Sequence, residues 1–329
     1  MKIFFFQFLL LFILFACKDQ TRLEDHDILL DLCPAPQKTL QLEGQFILDK
    51  NTYIMADFSD SLSSHIADLC RSRLLKLTGH RLPIRDVYST KIPETSIRLT
   101  LDESLGNHQA YWFDVSNSVI RITGGGKKGL VYGLSTLFEE FLLTKNTSQI
   151  QHIFNAHKII DFPRFPLRGL IIEDLDMNAL ENTLDIMSSL KFNIIICSGS
   201  EQQKIRNFLE SHPLYKEVVQ SYTIHHSLST PAGSILISPS TFSQKTSIPL
   251  QVITMASDRD LSKIRSKTSR LLLEIDTSVM INTKLRIKME NFFQHKQLKG
   301  IVLRLKQDQV NKDMLCEASN YFWKGSITH

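Results

Sequence analysis

The chain changes rhythm at Pro166, and that change limits its fold more than any other feature. Before Pro166, short strands crowd together with few helices. Thr39 to Leu48 alternates as a strand, and Ser61 to Leu77 places Leu62, Ile66, Leu69, Leu74 and Leu77 near helical spacing, with Gly79 as a stop. Ser96 to Leu101 alternates again. Tyr111–Val115 and Val119–Ile122 flank Ser116-Asn117-Ser118, a hairpin signal. A helix over Gly129 to Leu143 and a strand over Ile150 to Ile160 complete an α+β sheet domain. After Pro166, strand and helix alternate. Strands are expected at Arg168–Ile172, Phe192–Cys197, Ser234–Ile237, Leu250–Met255, Leu271–Ile275 and Ile301–Leu305. Helices are expected over Asn178–Lys191, Gln202–Gln220, 258–268, 283–297 and 309–323. Such alternation implies a parallel sheet, as a barrel or as an open doubly wound sheet. Residues 167–329 are too few for a complete eightfold barrel of about 250 residues, so a shortened one is expected.

The N-terminus reads as a targeting segment. Lys2 precedes the apolar run Ile3–Phe15, too short for a spanning helix of about 20 residues but suited to a signal-peptide core. The run ends Leu14-Phe15-Ala16-Cys17, which resembles a bacterial lipobox with Cys17 as the lipidated residue. The expected organisation is a signal peptide at 1–16, a tether at 17–36, a sheet domain at 37–160 and a β/α domain at 161–329. A lipid anchor in the bacterial cell envelope follows from this reading. Four further cysteines, Cys33, Cys70, Cys197 and Cys316, permit disulfides in an exported protein. A Cys33–Cys70 bridge is one possibility, while Cys197, ending Ile194-Ile195-Ile196, reads as a small buried hydrophobe.

Composition narrows the partners. With 43% hydrophobic and 22% charged residues, net charge +4 and no basic block, nothing points to nucleic acid. Gly124-Gly125-Gly126-Lys127-Lys128-Gly129 fits G-x-G-x-x-G, but it follows the second arm of a hairpin and no acid ends a strand about 20 residues on. It reads as a tight strand-to-helix turn, and no cofactor is expected. His225-His226 lacks a third ligand at a useful spacing and reads as solvated, so no metal site is expected.

Three segments, in order, resemble glycoside hydrolase family 20, the β-N-acetylhexosaminidases. They are Tyr111-Trp112-Phe113-Asp114-Val115, then Gly129-Leu130-Val131-Tyr132-Gly133-Leu134-Ser135-Thr136-Leu137, then Asp161-Phe162-Pro163-Arg164-Phe165. The likeness runs over roughly residues 37–195. It continues in Arg168-Gly169-Leu170 and in Lys191-Phe192-Asn193. It implies a sheet domain preceding a TIM-like barrel, and an N-acetylhexosamine-bearing glycan as partner. It also implies that Arg168 grips sugar hydroxyls, with Glu173 standing where the family has an aspartate and Asp176 where it has a second arginine.

The catalytic letters of the family are missing. Its mechanism is substrate-assisted, using an adjacent Asp-Glu pair in His-x-Gly-Gly-Asp-Glu. The only Asp-Glu dipeptide here is Asp102-Glu103, in the first domain, and the chain has two tryptophans, Trp112 and Trp323. Glu274 and Asp276 are the candidate substitute carboxylates, because they share a strand face near its carboxyl end, where barrel active sites form. Three readings stand at this stage. The chain is a degenerate, glycan-binding or remnant lipoprotein, an active hydrolase with relocated carboxylates, or a cell-surface scaffold.

Overall fold

A computed structural model describes residues 31–91, 93–144, 152–173, 175–197, 199–225, 234–239, 250–254, 270–275, 298–306, 310 and 312–324. Its first unit is a seven-stranded mixed sheet. In chain order the strands are β1 (Lys38–Leu48), β2 (Tyr53–Ala56), β3 (Ile84–Asp86), β4 (Ser96–Leu101), β5 (Tyr111–Val115), β6 (Val119–Gly124) and β7 (His152–Asp161). They lie side by side in the order β1-β7-β5-β6-β4-β2-β3. The expected hairpin is present, with Phe113 opposite Ile122.

Helices α1 (Ser61–Thr78) and α2 (Lys127–Thr144) belong to this unit. Asp60 caps α1 by accepting from the Ser63 amide, and Gly79 ends it at φ 75°, its N–H donating to the Leu75 carbonyl. Ile54, Ile97, Phe113, Ile122 and Ile159 are fully buried and share one core with Leu134, Leu137 and Phe141 of α2. That core continues into Leu184, Met187 and Leu190 of the second unit.

The second unit is a closed barrel of seven strands. They are β8 (Leu167–Glu173), β9 (Ile194–Cys197), β10 (Gln220–His225), β11 (Ser234–Pro239), β12 (Leu250–Thr254), β13 (Arg270–Ile275) and β14 (Leu298–Lys306). Its described helices are α3 (Leu180–Ser189), α4 (Gly199–Ser211), α5 (Pro213–Val218) and α6 (Lys312–Lys324). The helices expected at 258–268 and 283–297 lie outside the described residues.

Two features of this barrel differ from the sequence reading. The single helix expected over Gln202–Gln220 is two helices and the start of a strand. Pro213 has no N–H to donate, so it opens α5 rather than continuing α4. Gln220-Ser221-Tyr222-Thr223-Ile224, rich in β-branched and aromatic residues, then forms β10, the strand the pattern did not reveal. Second, the wall is not wholly parallel, because β11 runs antiparallel to both β10 and β12. Residues 226–233 and 240–249 are shorter than the dozen or more residues a parallel crossover needs, so reversal is the geometry they allow.

The wall has two distinct faces. Ile171, Ile194, Ile196, Tyr222 and Val302 form their own cluster inside the barrel. Leu170, Ile172, Ile195, Ile301 and Leu303 point the other way, into the core shared with the helices and the first sheet.

Candidate functional site

The residues that carry the family likeness converge on one place, the seam between the sheet and the amino-terminal end of β8. Asp161, the last residue of β7, is fully buried there. Its Oδ2 accepts from the Tyr111 hydroxyl at 2.7 Å and from Lys191 Nζ at 2.9 Å. Its Oδ1 accepts from Trp323 Nε1 at 2.6 Å and from the Gln37 amide at 3.0 Å. One carboxylate thereby joins β5, β7, α6, the entry to β1 and the turn before β9. The Tyr111 hydroxyl also meets Thr136 of α2 at 2.7 Å.

Arg168 lies beside this node and is 1% exposed. Its guanidinium donates to the Lys191 carbonyl at 2.9 and 2.7 Å, to the Phe165 carbonyl at 2.6 Å and to the Tyr132 hydroxyl at 3.2 Å. It also lies 4.7 Å from the centre of the Trp323 ring. Its backbone exchanges bonds with Asn193, whose Oδ1 accepts from Arg168 N while the Asn193 N–H donates to the Arg168 carbonyl, both at 2.8 Å. Lys191 adopts φ 62°, unusual for a residue with a Cβ, and its carbonyl receives two of the Arg168 bonds.

Burial dominates the electrostatics here. It pushes the Lys191 ammonium below its usual pKa, against the pull of Asp161. It also lowers Arg168, and it raises Tyr111 well above the phenol range with Asp161 adding to the effect. Each of these groups is already in contact with protein partners. The arrangement suits a rigid seam, with four bonds taking up most of the five donors of the Arg168 guanidinium.

Arg168, the residue expected to grip a sugar, makes these contacts within the protein. Arg168 pairs in register with Ile301 and lies on the outer face of the wall, at the amino-terminal end of its strand. Barrel chemistry sits at the opposite, carboxyl end. Glu173 is at that carboxyl end, with its backbone opposite Lys306. Glu274 pairs in backbone register with Thr254 and Val302. Asp276, Cys17 and His226 lie outside the described residues. Asp176 caps a 3-10 turn through the Asn178 amide.

Two further motifs resolve into packing. A Cβ on Gly129 would collide with the Ala110 carbonyl oxygen, and one on Gly125 with that of Asn107. The glycine-rich turn is thus filled by the chain's own backbone. The disulfide joins Cys33 to Cys316, correcting the Cys33–Cys70 possibility; Cys70 is a buried free thiol whose pKa burial raises to about 12. Sequence reasoning recognised Tyr111, Asp161, Lys191 and Asn193 as motif letters without seeing their common destination. Trp323 had no motif to mark it.

Residues 30–161 match the family model described as "Glycosyl hydrolase family 20, domain 2", so the first unit is hexosaminidase-like. A stretch of 70 residues, 20% of this chain, is 36% identical to the beta-hexosaminidase subunit alpha of Rattus norvegicus and covers 13% of it. The solved β-N-acetylhexosaminidase of Bacteroides fragilis matches at 18% identity and TM-score 0.41, over 51% of this chain and 32% of that one. The N-acetyl-β-hexosaminidase of Streptomyces plicatus matches at 19% identity and TM-score 0.44, over 51% and 34%. The chain thus spans about a third or less of the length of these relatives.

Proposed function

We propose that this chain is an exported, lipid-anchored protein of the bacterial cell envelope, derived from a family 20 hexosaminidase and lacking family-type hydrolysis. One observation carries the reading: the motif residues it shares with the family serve the seam, and none of them reaches the carboxyl end of the barrel. Asp102-Glu103, the only Asp-Glu pair, lies in a 3-10 turn of the first unit, where Asp102 caps the Ser104 amide. General acid catalysis contributes about 10²–10⁴-fold, so a barrel without the pair is left with little turnover. The Cys33–Cys316 disulfide supports export, since such bonds persist in oxidising compartments. The Leu14-Phe15-Ala16-Cys17 segment supports anchoring through Cys17. Any glycan contact inside the barrel rests on the family likeness.

The test uses the full chain on chromogenic N-acetylhexosaminides, beside a Cys17→Ser form for fractionation. Negligible turnover is expected, together with release of the Cys17→Ser form from the membrane fraction or retention of its signal. Robust turnover abolished by Glu274→Gln would replace this reading with an active hydrolase. Unchanged fractionation of Cys17→Ser would remove the anchor.

A further inference from the structure

The face of the first sheet turned away from its buried core carries a line of cations. Register places them in a single transverse row. Lys158 is opposite Asp114, Asp114 opposite Arg121, and Arg121 opposite Arg98. Arg98 and Arg85 both stand opposite Met55. Residues directly opposite share a face. Adjacent strands are about 4.8 Å apart, so the row crosses roughly 25 Å of sheet.

Among the described residues, none of these four cations has a carboxylate within ion-pair distance. Arg121 and Arg98 oppose each other directly, an arrangement that costs stability. The row is nevertheless ordered. Arg85 lies 4.1 Å from the centre of the Tyr53 ring and donates to its hydroxyl at 3.2 Å. Lys158 lies 4.9 Å from the centre of the Trp112 indole. Arg98 Nε donates to Ser96 Oγ at 3.3 Å. Trp112 itself is 39% exposed, an unusual place for the residue type with the largest apolar surface.

We propose that this face binds an acidic polysaccharide laid across the strands, its carboxylate or sulfate groups on Lys158, Arg121, Arg98 and Arg85 and one sugar ring against Trp112. Charge complementarity selects a polyanion. The linear form of the row favours a chain-like ligand over a membrane, which would meet a broad area. An exposed indole offers an apolar plane for the C–H face of a sugar ring. On the export reading proposed above, which the disulfide supports, acidic glycans rather than nucleic acids are the abundant polyanions. The site is independent of the barrel, so an inactive barrel and a binding sheet face can both hold, and each is measured separately.

The experiment is calorimetric titration of the full chain with heparin octasaccharide and with polygalacturonate, at several salt concentrations. Neutral N-acetylglucosamine oligomers, phosphatidylglycerol-containing vesicles and oligothymidylate serve as competitors. Binding to the acidic glycans, weakening as salt rises, is expected. The double variant Arg98→Gln/Arg121→Gln should weaken it by about tenfold or more and flatten the salt dependence. Trp112→Ala should weaken glycan binding while leaving the melting temperature near that of the parent. Equal binding by the double variant would overturn the proposal. So would vesicles or oligothymidylate bound as tightly as the glycans, or absence of any acidic-glycan binding.

Discussion

Arg168 and Lys191 at the seam, and Arg98 and Arg121 on the open sheet face, are two sets of neighbouring cations treated in opposite ways. At the seam, the Lys191 ammonium contacts Asp161 and Tyr111, and Arg168 makes four side-chain hydrogen bonds to the protein. On the sheet, Arg98 and Arg121 face each other, and among the described residues a serine hydroxyl is the one hydrogen-bond partner of their side chains. The seam uses its charge in contacts within the protein. The open face keeps its charge available at some cost in stability. A motif shared with an enzyme family can therefore report on how two units are joined rather than on what they bind.

The comparison breaks first at Asp161. Asp161→Ala strands the Lys191 ammonium, the Trp323 N–H and the Gln37 amide, all buried or partly buried. Losing one partner of a buried pair costs about 3–5 kcal/mol, and urea unfolding should show a loss of that order. A loss below about 1 kcal/mol would mean that the seam tolerates unpaired charge as readily as the surface does.

A smaller effect concerns pH. Glu140 and His157 are buried together, with Oε1 and Nε2 2.8 Å apart. Burial raises the Glu140 carboxyl above its usual 4.5. Burial alone would lower His157, but its bonds to Glu140 and to the Asn155 carbonyl outweigh that, so its pKa lies above 6.5. Both groups hold protons more tightly when folded. Their contribution is fully present at low pH and is lost as pH rises through these raised values. Glu140→Gln should therefore flatten the decline in stability above pH 4.5, by at most about 1.4 kcal/mol per pH unit for each proton. An unchanged slope would show that the pair titrates alike in folded and unfolded chains.

The smallest effect belongs to the row. Arg98→Gln should shift stability by no more than about 0.5 kcal/mol, in the stabilising direction, because it removes a like-charge opposition. A clear destabilisation in the same urea series would make Arg98 a structural residue like Arg168.

Much of the first unit was legible in the sequence. The hairpin, the Gly79 stop and the glycine turn follow from local patterns that tertiary context did not override. The role of Arg168 was not legible, for a physical reason. Leu167-Arg168-Gly169-Leu170-Ile171-Ile172 is apolar on both faces, as a strand buried on both sides must be, so alternation gives no sign of which face looks into the barrel. The β10 strand was hidden by its continuity with helical sequence before it. The partner of Cys33 was hidden by distance along the chain, since Cys316 is 283 residues away.

That distance gives the molecule a covalent shape of its own. The bond from Cys33 to Cys316 makes a ring of nearly everything between the tether and the last helix, and both units lie on it. A ring differs from a string in how it fails. One cut anywhere along it, in a loop of the sheet unit or of the barrel, opens the circle but separates nothing. The two units remain a single covalent body until a second cut or a reductant arrives.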